Sequence, residues 1–240
     1  MIPLRDENPT EIVPFVTVLF ILLNAAAWFL LQGAGAPQAL EASVWAYGTV
    51  PCELTGACTP RGLGWEAVLT SMFMHGSWSH IIGNMVFLWV FGNNIEDSMG
   101  HVRFVVFYLV CGIAAALAHV YLSPASEIPA VGASGAISGV MGAYILLYPR
   151  VRVHTFIPPF WFLNLSAGFV LGYWFFIQLV MGVGTLGPAS GEAGGVAVWA
   201  HVGGFVAGLL LIRVFDKPRL VQAKRDKVQL PREELRRLEW

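Results

Sequence analysis

Charge is scarce in this chain. Asp, Glu, Lys and Arg make up 12% of its 240 residues, while 56% are hydrophobic. A soluble domain carries about 25% charged residues, so composition alone indicates a membrane protein. Basic residues are few and no basic stretch is interleaved with aromatics, which leaves no footing for a nucleic-acid partner. No segment repeats at a solenoid or propeller period. Cysteine is nearly absent too, with three in the chain. Cys52 and Cys58 share a long connection, where they pair or stay free according to loop geometry and compartment. Cys111 falls in an apolar run and suits a small packing position.

What is abundant is long apolar sequence. Runs from Pro14 to Gln32, Trp78 to Asn93, His101 to Leu122, Gly132 to Tyr148, Ser166 to Gly184 and Val198 to Phe215 suit crossings of a ~30 Å hydrocarbon core. Ahead of the first run stand Arg5 and the acids Asp6, Glu7 and Glu11, a poor basic leader, so the run reads as a retained helix rather than a cleaved signal. The aromatic stretch Phe156 to Phe176, broken by Pro158-Pro159, reads as an interfacial piece leading into the fifth run. The expected organisation is a cytoplasmic segment 1–13, a membrane domain 14–215 and a basic cytoplasmic tail 216–240 that can form a short amphipathic helix on the membrane surface. With the N-terminus inside, Arg5, Arg103, Arg150, Arg152, Arg213 and the eight Lys/Arg of the tail face the cytoplasm, and only Arg61 lies outside. That distribution obeys the positive-inside rule. The fold class expected is all-α, a polytopic six-helix membrane bundle with both termini cytoplasmic. No organelle presequence is apparent, which suits a bacterial cytoplasmic membrane.

In this topology the second, fourth and sixth runs all descend from the outer side. His80 and Asn84 sit near the start of the second, Ser134 in the first turn of the fourth, and His201 in the first turn of the sixth. Intramembrane polar groups face bundle interiors or wet cavities, and these four share one level. Their chemistry fits acyl transfer. Ser134 is a weak nucleophile until a base takes its proton, and His201 titrates near neutrality and can be that base. His80 and Asn84, four apart on one helix face, can donate to an oxyanion together with the Ser134 N–H. Every outer-side acid (Glu41, Glu53, Glu66, Glu127, Glu192) lies in a loop, so a dyad is expected rather than a triad. Gly204 and Gly208 follow His201 on its helix face, and Gly135, Gly139 and Gly142 line the fourth run. Small residues at this spacing let helix backbones approach closely.

The motifs His75-Gly76-Ser77-Trp78-Ser79-His80-Ile81-Ile82-Gly83-Asn84, Gly132-Ala133-Ser134-Gly135 and Ala200-His201-Val202-Gly203-Gly204 with Gly208 resemble those of the rhomboid intramembrane serine proteases, over about residues 10–215. The resemblance implies a six-helix bundle in the lipid bilayer that cleaves transmembrane protein substrates near the outer face, with no metal or other cofactor. By it, Ser134 is the nucleophile, His201 the base, and His80 and Asn84 the oxyanion donors. Gly132 keeps the backbone close to the scissile carbonyl, and His75 braces the first loop. The fifth run and the loop Gly187 to Gly195 become candidates for a lateral gate. Two departures stand out. Ser138 replaces an aromatic that stacks on the imidazole four residues after the nucleophile, and Trp65-Glu66 replaces Trp-Arg. A catalytically idle, client-binding relative is the alternative, although such relatives generally lack the Ser or the His. A small transporter would place ionisable residues near the bilayer midplane.

Overall fold

The first apolar run coils over Phe15–Leu30 as α1, preceded by a short strand, β1, over Ile2–Asp6. The long connection folds into α2 (Pro37–Tyr47), α3 (Pro51–Thr55) and α4 (Ala67–Thr70). The second run is a continuous helical rod. It comprises α5 (Trp78–Phe87), a π-helical turn over Leu88–Gly92, and α6 (Asn93–Met99). Then come α7 (His101–Leu122) and α8 (Ser134–Leu147). A hairpin of β2 (Arg152–Ile157) and β3 (Trp161–Ser166) leads into α9 (Ala167–Gly184). The chain continues with α10 (Val198–Phe215), α11 (Pro218–Arg225) and α12 (Arg232–Leu238). This computed structural model describes residues 1–184, 197–226 and 228–240. The expected gate loop Gly187 to Gly195 therefore lies outside the described residues.

The protein is a helical membrane bundle. Among the described residues, α7, α9 and α10 are long and apolar enough to cross a membrane, and α1 and α8 are shorter apolar helices. α8 is buried almost all round, from Gly135 through Tyr144. A helix that is apolar on every face belongs at a bundle centre, and α8 packs there against α7, α9 and α10. Its 14 residues span only ~21 Å against ~33 Å for the 22 residues of α7. Ser134 is the first residue of this shorter helix. The α8–α10 seam is backbone against backbone. A Cβ on Gly204 would collide with the Gly135 carbonyl oxygen, and one on Gly208 with that of Gly139. The small-residue spacing in the sequence is realised in this seam.

The end of the bundle remote from Ser134 is polar and heavily cross-linked. Pro14 cannot cap α1, and the first N–H groups of any helix lack internal acceptors. The buried Glu96 carboxylate of α6 takes them from outside, accepting from the Val16 N–H at 2.9 Å and the Thr17 N–H at 2.8 Å. It also pairs with His101 Nδ1 at 2.6 Å. Asp97 accepts from the Glu11 and Ile12 N–H groups and pairs with Lys224 of α11 at 2.6 Å. The tail is accordingly docked on the protein rather than spread on the membrane surface. Leu220, Val221 and Ala223 are buried, because the apolar face of α11 finds a protein partner.

The bundle also carries a small antiparallel sheet of order β1-β2-β3, an addition to the expected all-α architecture. Val153 and Thr155 of β2 are buried, while Arg152 is exposed, the period-2 alternation of a half-buried strand. The aromatic tip of this hairpin leaves Phe160, Trp161 and Phe162 exposed. In the long connection Cys52 and Cys58 are joined by a disulfide, with Cα atoms 5.3 Å apart. Cys111 is free and buried in the core.

Candidate active site

Three helices begin at the same level, and each brings one polar group. Ser134 is the first residue of α8, His201 lies in the first turn of α10, and His80 in the first turn of α5. α5 starts there because Ser77 is extended and its hydroxyl accepts the His80 N–H at 3.1 Å, a side-chain N-cap. The glycine seam then brings α8 and α10 close enough for Ser134 Oγ to lie 2.8 Å from His201 Nε2. This is hydrogen-bond distance between a hydroxyl and an imidazole, the contact a Ser–His nucleophile requires.

The pair opens on a cavity of about 590 Å³ bounded by α5, α8, α9 and α10, with His80, Asn84, Phe87 and Trp174 in its wall. His80 Nδ1 accepts the Gly76 N–H at 3.3 Å. In the neutral ring the proton then sits on Nε2, which is left to donate. Gly132 shows where that donor is directed. Its φ of +129° belongs to the region that favours glycine, and a Cβ there would fall 2.8 Å from His80 Nε2 and 3.4 Å from Ser134 Oγ. Bare backbone at position 132 therefore leaves room between donor and nucleophile. Asn84 is buried, and its Nδ2 has no acceptor among the described residues. A buried amide donor without a partner is unfavourable by about 1–3 kcal/mol, and here it lines the cavity beside Ser134. The backbone at Gly132 is itself fixed, its N–H donating to the Ser71 carbonyl at 2.9 Å.

The structure brings Ser134, His201, His80 and Asn84 together around one cavity, with Gly132 beside His80 and Ser134. Gly135, Gly204 and Gly208 lie in the seam behind them. His75 is fully buried under the site, its ring edge-on to His80 with centroids 5.1 Å apart. It is clamped from the turn that follows α1, since its N–H donates to Gln32 Oε1 and its carbonyl accepts from Gln32 Nε2, both at 2.8 Å. Burial lowers the His75 pKa from the usual 6.5 to about 3, with His80 adding to the effect. Ser138 turns away from the imidazole and donates to the Ser134 carbonyl at 2.6 Å. The place of a stacking aromatic is taken from another helix: Trp174 of α9 lies 5.6 Å from the His201 ring, tilted by 46°.

Two residues escaped the sequence reading. Gln178 of α9 has Oε1 2.8 Å from His201 Nδ1, and Gln32 holds the His75 backbone. The signal for Gln178 was present, as an amide in an otherwise apolar run is an exposed cost unless it has a partner. Gln32 stood at the edge of an apolar run, where a polar residue looks like a boundary. Among the described residues no group of three or more His, Cys, Asp or Glu could hold a metal ion.

The family profile described as Rhomboid domain matches residues 62–217. The chain is 34% identical over 164 residues to Rhomboid protease GluP of Bacillus subtilis, covering 66% of this chain and 31% of GluP. It is 27% identical over 137 residues to Putative rhomboid protease YdcA of the same organism, covering 53% of this chain and 65% of YdcA. To Rhomboid-like protein 11, chloroplastic, of Arabidopsis thaliana it is 32% identical over 83 residues, covering 35% of this chain and 29% of that protein. The chain thus spans less than a third of the length of some of these relatives and about two thirds of another. The profile match covers well over half of the 240 residues, and the chain belongs to the rhomboid family.

Proposed function

We propose that this protein is an intramembrane serine endopeptidase that cleaves transmembrane protein substrates near the outer membrane face. The observation that carries the proposal is the 2.8 Å contact between Ser134 Oγ and His201 Nε2 inside a cavity walled by membrane helices. His201 takes the Ser134 proton as Oγ adds to the scissile carbonyl. The resulting oxyanion is met by the His80 Nε2–H, the Asn84 Nδ2–H and the N-terminus of α8, whose free N–H groups and dipole favour negative charge. Collapse breaks the C–N bond, and His201 returns the proton to the leaving amine. A water then attacks the acyl ester with His201 again as base, releasing the new carboxylate and regenerating Ser134.

The named activity of the relatives GluP and YdcA supports the class of reaction. Orientation follows from charge. Arg103 contacts the Phe215 carbonyl and Arg152 lies beside Glu7, so the basic residues gather at the bundle end remote from Ser134. With the positive end cytoplasmic, the cavity opens outward. Substrate would enter laterally between α5 and α9, which both wall the cavity. A crosslink joining α5 to α9 should block cleavage of a single-span substrate, and undiminished cleavage would contradict lateral entry. A client-binding role is less well supported, because a binder has no use for a paired nucleophile and base.

The test is serine-directed fluorophosphonate labelling of membranes beside cleavage of a tagged single-span protein. Labelling and cleavage that both disappear in Ser134→Ala are expected. A wild type that does neither, in detergent and in bilayers, would overturn the protease assignment in favour of client binding.

A further inference from the structure

A neutral imidazole that accepts the Ser134 hydroxyl proton at Nε2 must carry its own proton on Nδ1. That tautomer is selected by whatever faces Nδ1. Here the facing atom is Gln178 Oε1, at 2.8 Å. An amide oxygen accepts and cannot donate, so this contact holds the Nδ1–H form and leaves the Nε2 lone pair for Ser134. The opposite tautomer would put a proton on Nε2 and leave the serine without a base. Gln178 also lies one helical turn beyond Trp174, and the two side chains meet His201 from the same face of α9. Trp174 and Phe205 are near-parallel, with centroids 6.3 Å apart, which packs α9 onto α10 beside the base.

We propose that Gln178 is a positioning residue of the catalytic base, standing where a serine triad has its carboxylate. This rests on Ser134 and His201 acting as proposed above. Gln178 touches neither substrate nor the reacting atoms and acts through the imidazole. Because it comes from α9, the base is correctly oriented only while α9 stays packed on α10. An amide supplies the tautomer and the orientation without a full negative charge, so the imidazolium formed in the reaction is stabilised less than by a carboxylate. It also avoids burying an acid in the membrane, where one is costly. Among the described residues, the titratable groups around His201 besides Ser134 are His80 from α5 and His119 from α7. None of these is an acid.

The experiment compares wild type with Gln178→Met, Gln178→Ala and Gln178→Glu. The readouts are kcat and KM on a tagged single-span substrate across pH, the rate of fluorophosphonate labelling, and thermal unfolding. Gln178→Met keeps the volume and removes the acceptor. Its kcat should fall by about 10- to 100-fold, as expected for a misoriented catalytic group, with KM little changed. Gln178→Glu restores an acceptor and adds charge. It should recover part of the activity and move the acid limb of the kcat/KM profile upward by about one pH unit or more, since a carboxylate beside an imidazole favours the charged ring. Gln178→Ala serves if the methionine variant does not fold. Met or Ala variants as active as wild type would overturn the proposal. So would a Glu variant as impaired as Met with its pH limb unmoved, which is the pattern of a merely structural residue. If wild type itself is neither labelled nor active, the failure lies with the protease assignment. Active wild type with indifferent Gln178 variants overturns this inference alone.

Discussion

Gly204→Ala should disable the dyad without touching either member. A Cβ at position 204 would collide with the Gly135 carbonyl oxygen, next to the nucleophile in sequence, with Ala115 Cβ at 3.3 Å on the other side. Ordinary carbon contacts lie near ~3.5 Å, so α8 and α10 must separate by roughly 1 Å or more at this level. The Ser134–His201 contact, now 2.8 Å, would then exceed the ~3.6 Å beyond which no hydrogen bond remains. A displacement of this size lowers activity by about 10²-fold, and the overpacking lowers stability by about 1–3 kcal/mol. The assay is kcat/KM on a single-span substrate with the fluorophosphonate labelling rate and the unfolding midpoint read in parallel. Gly172→Ala is the control, because its Cβ would meet only Ile145 Cδ1, at 3.9 Å. Gly204→Ala with wild-type rate and midpoint would refute the claim that the glycine seam sets the distance between nucleophile and base.

Three further outcomes are expected. Asn84→Ala should lower kcat by about 10²–10³-fold, as loss of one oxyanion donor does, while unfolding moves little because Nδ2 has no protein acceptor to lose among the described residues; a large loss of stability would make Asn84 structural. His75, with its pKa lowered from 6.5 to about 3, binds fewer protons folded than unfolded in that interval. Its stabilising contribution is present above pH 6.5 and is lost as pH falls toward 3, at up to ~1.4 kcal/mol per pH unit. Unfolding midpoints between pH 7 and 4 should therefore fall less steeply in His75→Asn than in wild type, and parallel slopes would contradict this. Lys224→Met leaves the buried Asp97 of α6 without its ion-pair partner, which should destabilise by about 3–5 kcal/mol; adding Asp97→Asn should recover much of that, as thermal unfolding of the single and double variants would show.

The helices were legible because membrane crossing demands long apolar runs and leaves few alternatives. The shared level of His80, Asn84, Ser134 and His201 was legible because polar residues in such runs are few and helix ends fix their depth. The seam was legible in Gly135, Gly204 and Gly208. The sheet was harder to see. Its β2 alternation, Val153 and Thr155 in with Arg152 out, is short, and pairing with β1 joins residues some 150 positions apart, which no local pattern encodes. Docking of α11 was hidden for a similar reason: Lys224 in a basic tail looks solvated until Asp97 is placed opposite. Gln178 was not legible as a partner of His201 because a third catalytic member is ordinarily an acid, whereas a neutral amide meets the same geometric need at lower cost in a membrane.

The central claim is that Ser134 and His201 form a working nucleophile and base. The most direct measurement is cleavage of a tagged single-span protein in membranes by wild type, Ser134→Ala and His201→Ala, with fluorophosphonate labelling of the same samples. The expected result is cleavage and labelling by wild type, and neither by the two variants, all three folding alike. Cleavage that persists in Ser134→Ala would contradict the account.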